Sequence, residues 1–490
     1  MQLSGTVRPT RPVPAPSLRF VSCVMAATGL AVLLMANLTP IPHVVAAGVL
    51  TAVGCAVGLR DPGGAMILVI LLSVVDGAMR KWILPDASDI VYLGKDVVLL
   101  ASYVGALSRG WWRSATFPDS DLRAMRIAWV VLLVVVLVEV ALNREDDPYM
   151  TLNGARMFLT YVPMAWLLPR FLARYARADV HRLLKGWAWS LIPMAALVTL
   201  QFTSPADASI NRYAHDTADV ATFGGPEGVR ATGTFSYITG LADYANFAGA
   251  IAAGLATTGS MLLGGAALVG ALWCALCSGS RLAVVWVLIQ SVIVLVATGV
   301  RRGTAGRTVV VTMVAMLVML RLYSSQSPVL DAFVLRSERS VDASHRITGA
   351  LTRPWTALGE FPVLGEGVGT SYQLRLRTGS TTGALQRWDE VTHDRFVVEL
   401  GVLGLIVELV WRVQSVAVCL ACFRRTRSTP SGALVAALVV YQLLFLWSYP
   451  LYDSVASIYY AASLAIALTL GRVEASAGEP STPPRPNRAH

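Results

Sequence analysis

From Ile127 to Leu142 the chain reads IAWVVLLVVVLVEVAL, an apolar run whose one charge is Glu139. Inside a bilayer no water reaches the backbone, so such a run must satisfy its own N–H and C=O groups, and a helix does so. A transmembrane helix takes about 20 mostly apolar residues, and windows that meet or approach this recur along the sequence. Hydropathy predicts about fourteen of them. They fall at positions 20–37, 43–59, 64–79, 90–107, 127–142, 157–173, 186–202, 239–258, 260–277, 281–299, 308–323, 396–418, 432–450 and 454–471. Composition agrees: 55% of the residues are apolar and 14% charged, against roughly half and a quarter in a soluble domain. The expected fold class is an all-α, polytopic integral membrane protein.

The net charge of +10 does not point to nucleic acid, because of where the basic residues lie. They gather in short connections: Arg109, Arg113, Arg123 and Arg126; Arg174, Arg177, Arg182 and Lys185; Arg301, Arg302 and Arg307; Arg424, Arg425 and Arg427. A cytoplasmic N-terminus puts every one of these clusters inside, as the positive-inside rule asks. The organisation that follows is a cytoplasmic tail at 1–19, transmembrane helices over 20–202, an outer loop at 203–238, and central helices over 239–323. A large outer loop at 324–395, C-terminal helices over 396–471 and a disordered cytoplasmic tail at 472–490 complete it. Residues 1–19 are basic and proline-containing, and 20–37 is long enough to be a retained first span, so no cleavable signal peptide is expected. The large loop carries Trp355 and Trp388 among several Leu, Val and Phe residues, which predicts short helices packed over the membrane surface. Loops of this length in compact proteins are functional or disordered.

Two C-x-x-C pairs, Cys274 with Cys277 and Cys419 with Cys422, read as small apolar helix residues, because zinc wants four such ligands together and this topology puts the pairs near opposite membrane faces. LGEGVGTSY at 364–372 contains G-x-G-x-G, but a nucleotide fingerprint needs a preceding strand and a following helix in a cytosolic fold. Its glycines are expected instead to permit a tight turn that brings the loop close to its own helices.

Chemistry concentrates on the outer side. His393 stands where the large loop meets the helix beginning FVVELGVLGLIVEL, and a histidine neutral near pH 7 can accept a proton as a general base. Arg230, Arg281 and Arg346 lie on the same side, and the guanidinium fork matches phosphate oxygens. A second cluster, DGAMRKWILPDASDIVYLGKD, places Asp76, Arg80 and Lys81 at the end of one span and Lys95 with Asp96 at the start of the next. Intramembrane charges face a bundle interior or a cavity. Neighbours on a helix diverge by about 100°, so Lys95 and Asp96 should find different partners, and Asp76 is the expected partner of Lys95.

Four pieces in order, RATGTFSYITGLADYANF, SGSRLAVVW, HRITGALTRPWTALGEFPVLGEGVGTSY and THDRFVVELGVLGLIVEL, resemble the O-antigen ligase and O-antigen polymerase (Wzy-type) superfamily of bacterial membrane glycosyltransferases. In the last, a histidine precedes a helix with G-x-x-G spacing, here Gly401 and Gly404, and RKWILPD resembles a branch of the same superfamily. The resemblance implies a GT-C-type enzyme of the bacterial inner membrane. Its donor would be a glycan on undecaprenyl diphosphate, its acceptor a glycan or lipid hydroxyl at the periplasmic face, with other polysaccharide assembly proteins as partners and no metal, cofactor or nucleotide sugar required. Carried onto this chain, Arg230 and Arg346 would hold the diphosphate, Arg281 would assist and His393 would be the base. Arg80, Lys81, Lys95 and Asp394 are accessory candidates, and Asp394 departs from the Asn or Ser that often follows the histidine. The competing readings are a lipid-linked oligosaccharide flippase and a non-catalytic scaffold of an assembly complex.

Overall fold

The computed structural model describes residues 40–110, 119–142, 148–172, 177–214, 220–223, 228–258, 260–302, 328–339, 352, 362–369, 393–446 and 453–478. These are helical almost throughout, the exception to helix and loop being an isolated antiparallel bridge between Thr222 and Val229. The helices are α1 (Pro40–Arg60), α2 (Pro62–Ala78), α3 (Ser88–Ser108), α4 (Asp119–Leu142), α5 (Pro148–Leu159), α6 (Met164–Leu172), α7 (Arg177–Trp189) and α8 (Leu191–Thr203). They continue with α9 (Ile238–Ala256), α10 (Met261–Cys277), α11 (Arg281–Arg302), α12 (Pro328–Arg339), α13 (His393–Thr426), α14 (Gly432–Leu444) and α15 (Ser454–Gly478).

Six segments among the described residues are long and apolar enough to cross a membrane: His43–Arg60, Pro62–Ile83, Pro85–Ser108, Leu122–Leu142, Asp179–Thr203 and Ser454–Glu474. Met261–Cys277, Arg281–Val294 and Gly432–Leu444 are apolar but shorter. The expected spans at 20–37 and 308–323 lie outside the described residues. The expected span at 157–173 is two short helices, α5 and α6, parted at Thr160–Pro163, and α15 runs past Arg472 to Gly478. α12 is a short helix within the segment read as the large outer loop.

Local chemistry explains the ends and breaks. Asp61 caps α2, its Oδ1 accepting from Gly64 N at 3.2 Å, with Pro62 in the first turn where a missing N–H costs nothing. Pro193 lacks the N–H that would bond Trp189, and the α7–α8 break falls there. After α2 the chain makes a π-turn at Met79–Ile83, a wide turn of the kind found at functional sites, and it carries Arg80 and Lys81.

Packing arranges α1, α2 and α3 side by side, with α2 also touching α6 and α15. α9 is enclosed, held among α10, α11, α14 and α15, and almost every residue from Ile238 to Ala256 is buried. By contrast α4 is half wet or lipid-facing: Leu132, Val135 and Val136 are buried, while Val130, Val134 and Leu137 are exposed.

α13 is broken by design. At Gly401 the backbone takes φ 66° and ψ −173°, a conformation that belongs to glycine. The segment 362–369 fills the break. Val402 N donates to Pro362 O and Leu403 N to Val363 O, both at 3.2 Å, and the Val398 carbonyl that an unbroken helix would offer to Val402 accepts from Glu366 N at 2.7 Å. Two buried carboxylates complete the docking: Glu139 Oε1 on α4 accepts from Gly365 N at 2.7 Å, and Glu399 Oε2 accepts from Gly369 N at 3.1 Å. The glycines of LGEGVG thus bring the loop against helices, as the sequence suggested, with Gly365 pressed on the backbone of Glu399.

Gly401→Ala should lower stability by about 1–3 kcal/mol from backbone strain alone, with a further loss because the new Cβ would overlap the Val363 carbonyl. A thermal unfolding midpoint in detergent equal to that of the parent protein contradicts the inserted-loop account of the α13 break.

Candidate functional site

Tyr92, on the first part of α3, is the centre of a cationic cluster. The guanidinium carbons of Arg80 and Arg156 lie 4.7 and 4.6 Å from its ring centroid, and Lys95 Nζ lies 4.8 Å from it. Each is a cation over an aromatic face, an attraction that grows as water is removed. The charges are compensated locally. Lys95 is ion-paired with Asp76 on α2, the partner expected from sequence. Asp96 takes Arg156 of α5 on one oxygen and the Tyr161 hydroxyl on the other. Lys95 and Asp96, successive residues on one helix, therefore grip opposite neighbours.

The π-turn, which supplies Arg80, adds one more cation, Lys81, and ties the cluster to the segment before α9. Arg80 donates from Nε to Ser88 Oγ at 3.0 Å and from Nη1 to Ser236 Oγ at 2.8 Å. Lys81 is 2% exposed, and its ammonium donates to neutral oxygens, Thr232 Oγ1 at 2.9 Å and Gly233 O at 2.7 Å. Gln201, fully buried on α8, fixes the other side of this segment: its Oε1 accepts from Thr232 N at 3.1 Å and Gly233 N at 2.7 Å, and its Nε2 donates to Ile210 O at 2.9 Å. Thr234 Oγ1 is bonded to the Val74 carbonyl, which anchors the segment on α2.

Arg230 stands four residues before this anchor. Its Nε donates to Ser278 O at 3.0 Å, while Ala231 N donates to Cys277 O at 2.9 Å, so the turn between α10 and α11 is bound to the 230–231 backbone and side chain. Arg281 opens α11 directly after that turn, where Ser280 Oγ accepts from Ala283 N at 3.3 Å as a cap. The structure thus brings Arg230 against the turn that precedes Arg281. Tyr213 joins them: its hydroxyl accepts from Ala221 N at 3.1 Å, and Ala221 O accepts from Arg230 N at 2.9 Å. Burial pushes the Tyr213 hydroxyl above its ordinary pKa, with the Arg230 charge pulling the other way, so the phenol stays neutral at physiological pH.

His393 is the first residue of α13; its side chain and that of Asp394 lie outside the described residues, as does Arg346 altogether. The first turn of α13 is nevertheless placed. Phe396 packs edge-on against Phe158 of α5 with ring centroids 5.0 Å apart, and Gly154 of the same helix lies against Val368 and Gly369 of the inserted loop. α5 is therefore the strut between the two regions, carrying Arg156 to the Tyr92 cluster and Phe158 to the start of α13.

Arg156, Tyr92, Tyr161, Gln201 and Ser236 were not singled out from sequence. Arg156 had a legible signal: it is an arginine in the apolar stretch LNGARMFL without a nearby acid. Among the described residues no group of three or more His, Cys, Asp or Glu is placed to share a metal. Cys274, Cys277, Cys419 and Cys422 are buried within α10 and α13.

The arrangement gathers positive charge in a buried, hydrogen-bonded setting. Guanidinium and ammonium groups are preset by a scaffold of buried hydrogen bonds, and such preorganised charge stabilises a developing negative charge with little rearrangement. Compared with models of known protein families and with curated proteins, the chain matches none.

Asp76→Asn would leave the Lys95 ammonium buried without its carboxylate. A loss of about 3–5 kcal/mol is expected, and the double substitution Asp76→Leu with Lys95→Met should recover most of it. Equal stability of single and double variants, measured by unfolding in mixed micelles, contradicts the pairing.

Proposed function

We propose that the chain is a membrane glycosyltransferase that polymerises or ligates a surface or exocellular polysaccharide, moving glycan from undecaprenyl diphosphate to an acceptor hydroxyl. The observation that carries this reading is the joined cationic region: Arg80, Lys95 and Arg156 around Tyr92, with Lys81 next to Arg80, bound through Thr232, Gly233 and Ser236 to the segment that bears Arg230. A lipid-linked diphosphate is an anion that belongs at a membrane protein's surface, and Arg and Lys are the side chains that recognise it. The four resembling sequence pieces supply the reaction class.

In this reading the acceptor oxygen forms a bond to the anomeric carbon while the bond from that carbon to the diphosphate breaks. His393 takes the hydroxyl proton, and the electron pair leaves on the diphosphate, whose charge Arg230, Arg281 and Arg346 balance with help from Arg80 and Lys81. The protein would lie in the bacterial inner membrane with about fourteen spans, a GT-C-like topology, and segments 203–238 and 324–395 at the periplasmic face. Other polysaccharide assembly proteins would deliver donor and receive product.

A second reading, a flippase for lipid-linked oligosaccharide, has one observation in its favour. Helices broken beside buried charge, as at Met79–Ile83, Thr160–Pro163 and Gly401, are a feature of transporters. Purified protein in detergent separates the two readings, because glycan transfer needs no second compartment and flipping does.

His393→Ala is expected to lower transfer by about 100-fold or more, with the protein still inserted and lipid-linked repeat units accumulating in cells. Polymer of normal length from that variant overturns the assignment of the base. Arg230→Gln should cost about 100- to 1,000-fold in transfer, read as turnover of purified protein on lipid-linked donor; unchanged turnover removes Arg230 from the site.

A further inference from the structure

The first half of α4 leaves one face exposed. Arg123 is exposed, Arg126 half-buried, and below them Ile127, Val130, Val131 and Val134 are 57%, 50%, 40% and 53% exposed. Successive residues turn by about 100°, so these six positions fall in one arc of about 140°. The opposite arc, with Leu122, Met125, Leu132 and Val136, is buried against the rest of the protein. Arg123, Arg126, Ile127, Val130 and Val131 line a concavity of about 310 Å³.

The dimensions match one kind of molecule. From position 123 to position 134 the helix rises about 16 Å, and half of a bilayer's hydrocarbon core is about 15 Å. Two guanidinium groups thus stand at headgroup height over an apolar stripe that reaches the bilayer midplane. A zwitterionic headgroup would bring its own cation against these arginines, whereas an anionic one brings charge alone. The charged end of this face is also distant from the inserted loop: Glu139, which holds that loop through Gly365, lies about 24 Å from Arg123 along the same helix.

We propose that this face of α4 binds an anionic glycerophospholipid, with its phosphate at Arg123 and Arg126 and an acyl chain along Ile127, Val130, Val131 and Val134. This assignment needs the membrane environment but not the glycosyltransferase reading.

The test uses the full-length protein purified in detergent and titrated with dioleoyl phosphatidylglycerol or dioleoyl phosphatidylcholine, with bound lipid counted by native mass spectrometry. Phosphatidylglycerol should bind about tenfold more tightly than phosphatidylcholine. Arg123→Ala combined with Arg126→Ala should erase that preference, and Arg123→Lys should keep it. Val130→Trp, which fills the concavity and leaves the charges in place, should weaken phosphatidylglycerol binding on its own; it decides the matter if the double variant does not fold. Equal affinity for the two lipids, a preference that survives the double substitution, or displacement of phosphatidylglycerol by equimolar undecaprenyl phosphate overturns the proposal.

Discussion

Charge buried among apolar helices is the constraint on which the rest of this architecture depends. Asp76, Lys95, Asp96 and Arg156 are each at most about a tenth exposed, and none could be buried singly without a large desolvation cost. Pairing solves this, and pairing fixes geometry. Because Lys95 and Asp96 point to different sides of α3, the first holds α2 and the second holds α5 and the Tyr161 hydroxyl. Three helices are thereby set in register around Tyr92. The register is also what aims the π-turn: Arg80 and Lys81, adjacent in sequence, both reach the segment before α9.

The same logic repeats on the other face of α5. An α-helix that breaks exposes an orphan N–H and an orphan C=O, and inside a membrane neither can be left to water. At Gly401 both are taken up by residues 362–366, and the inserted loop is then held by carboxylates from α4 and α13. The start of α13, where His393 stands, is consequently tied to a loop docked on three helices. Such a connection places a residue more firmly than a helix end projecting into solvent would.

Much of this was legible. Apolar runs marked α1 to α4, α9 to α11, α14 and α15, and the acid and base bracketing RKWILPD announced the pair of Asp76 with Lys95, since both lie at the facing ends of consecutive helices. The close approach of the LGEGVG loop was legible from its glycines. The partner of Asp96 was not, because Arg156 is 60 residues away and only folding brings the two together. Hydropathy windows also hid the break between α5 and α6. They average apolarity and do not register the absent N–H of Pro163. The break at Gly401 was equally silent, because its glycine reads as one more small residue in a helix face until a second segment supplies its hydrogen bonds.

The central claim is that the Tyr92 cluster, the Arg230 segment and the start of α13 surround one lipid-linked diphosphate. Photocrosslinking tests it most directly, using undecaprenyl diphosphate glycan with a photoreactive group beside the diphosphate, the purified protein, and peptide mapping of the adducts. The account predicts adducts confined to peptides containing residues 80–95, 228–236 and the beginning of α13. Adducts absent from all three, or concentrated on the basic connections around Arg301 and Arg424, would contradict it.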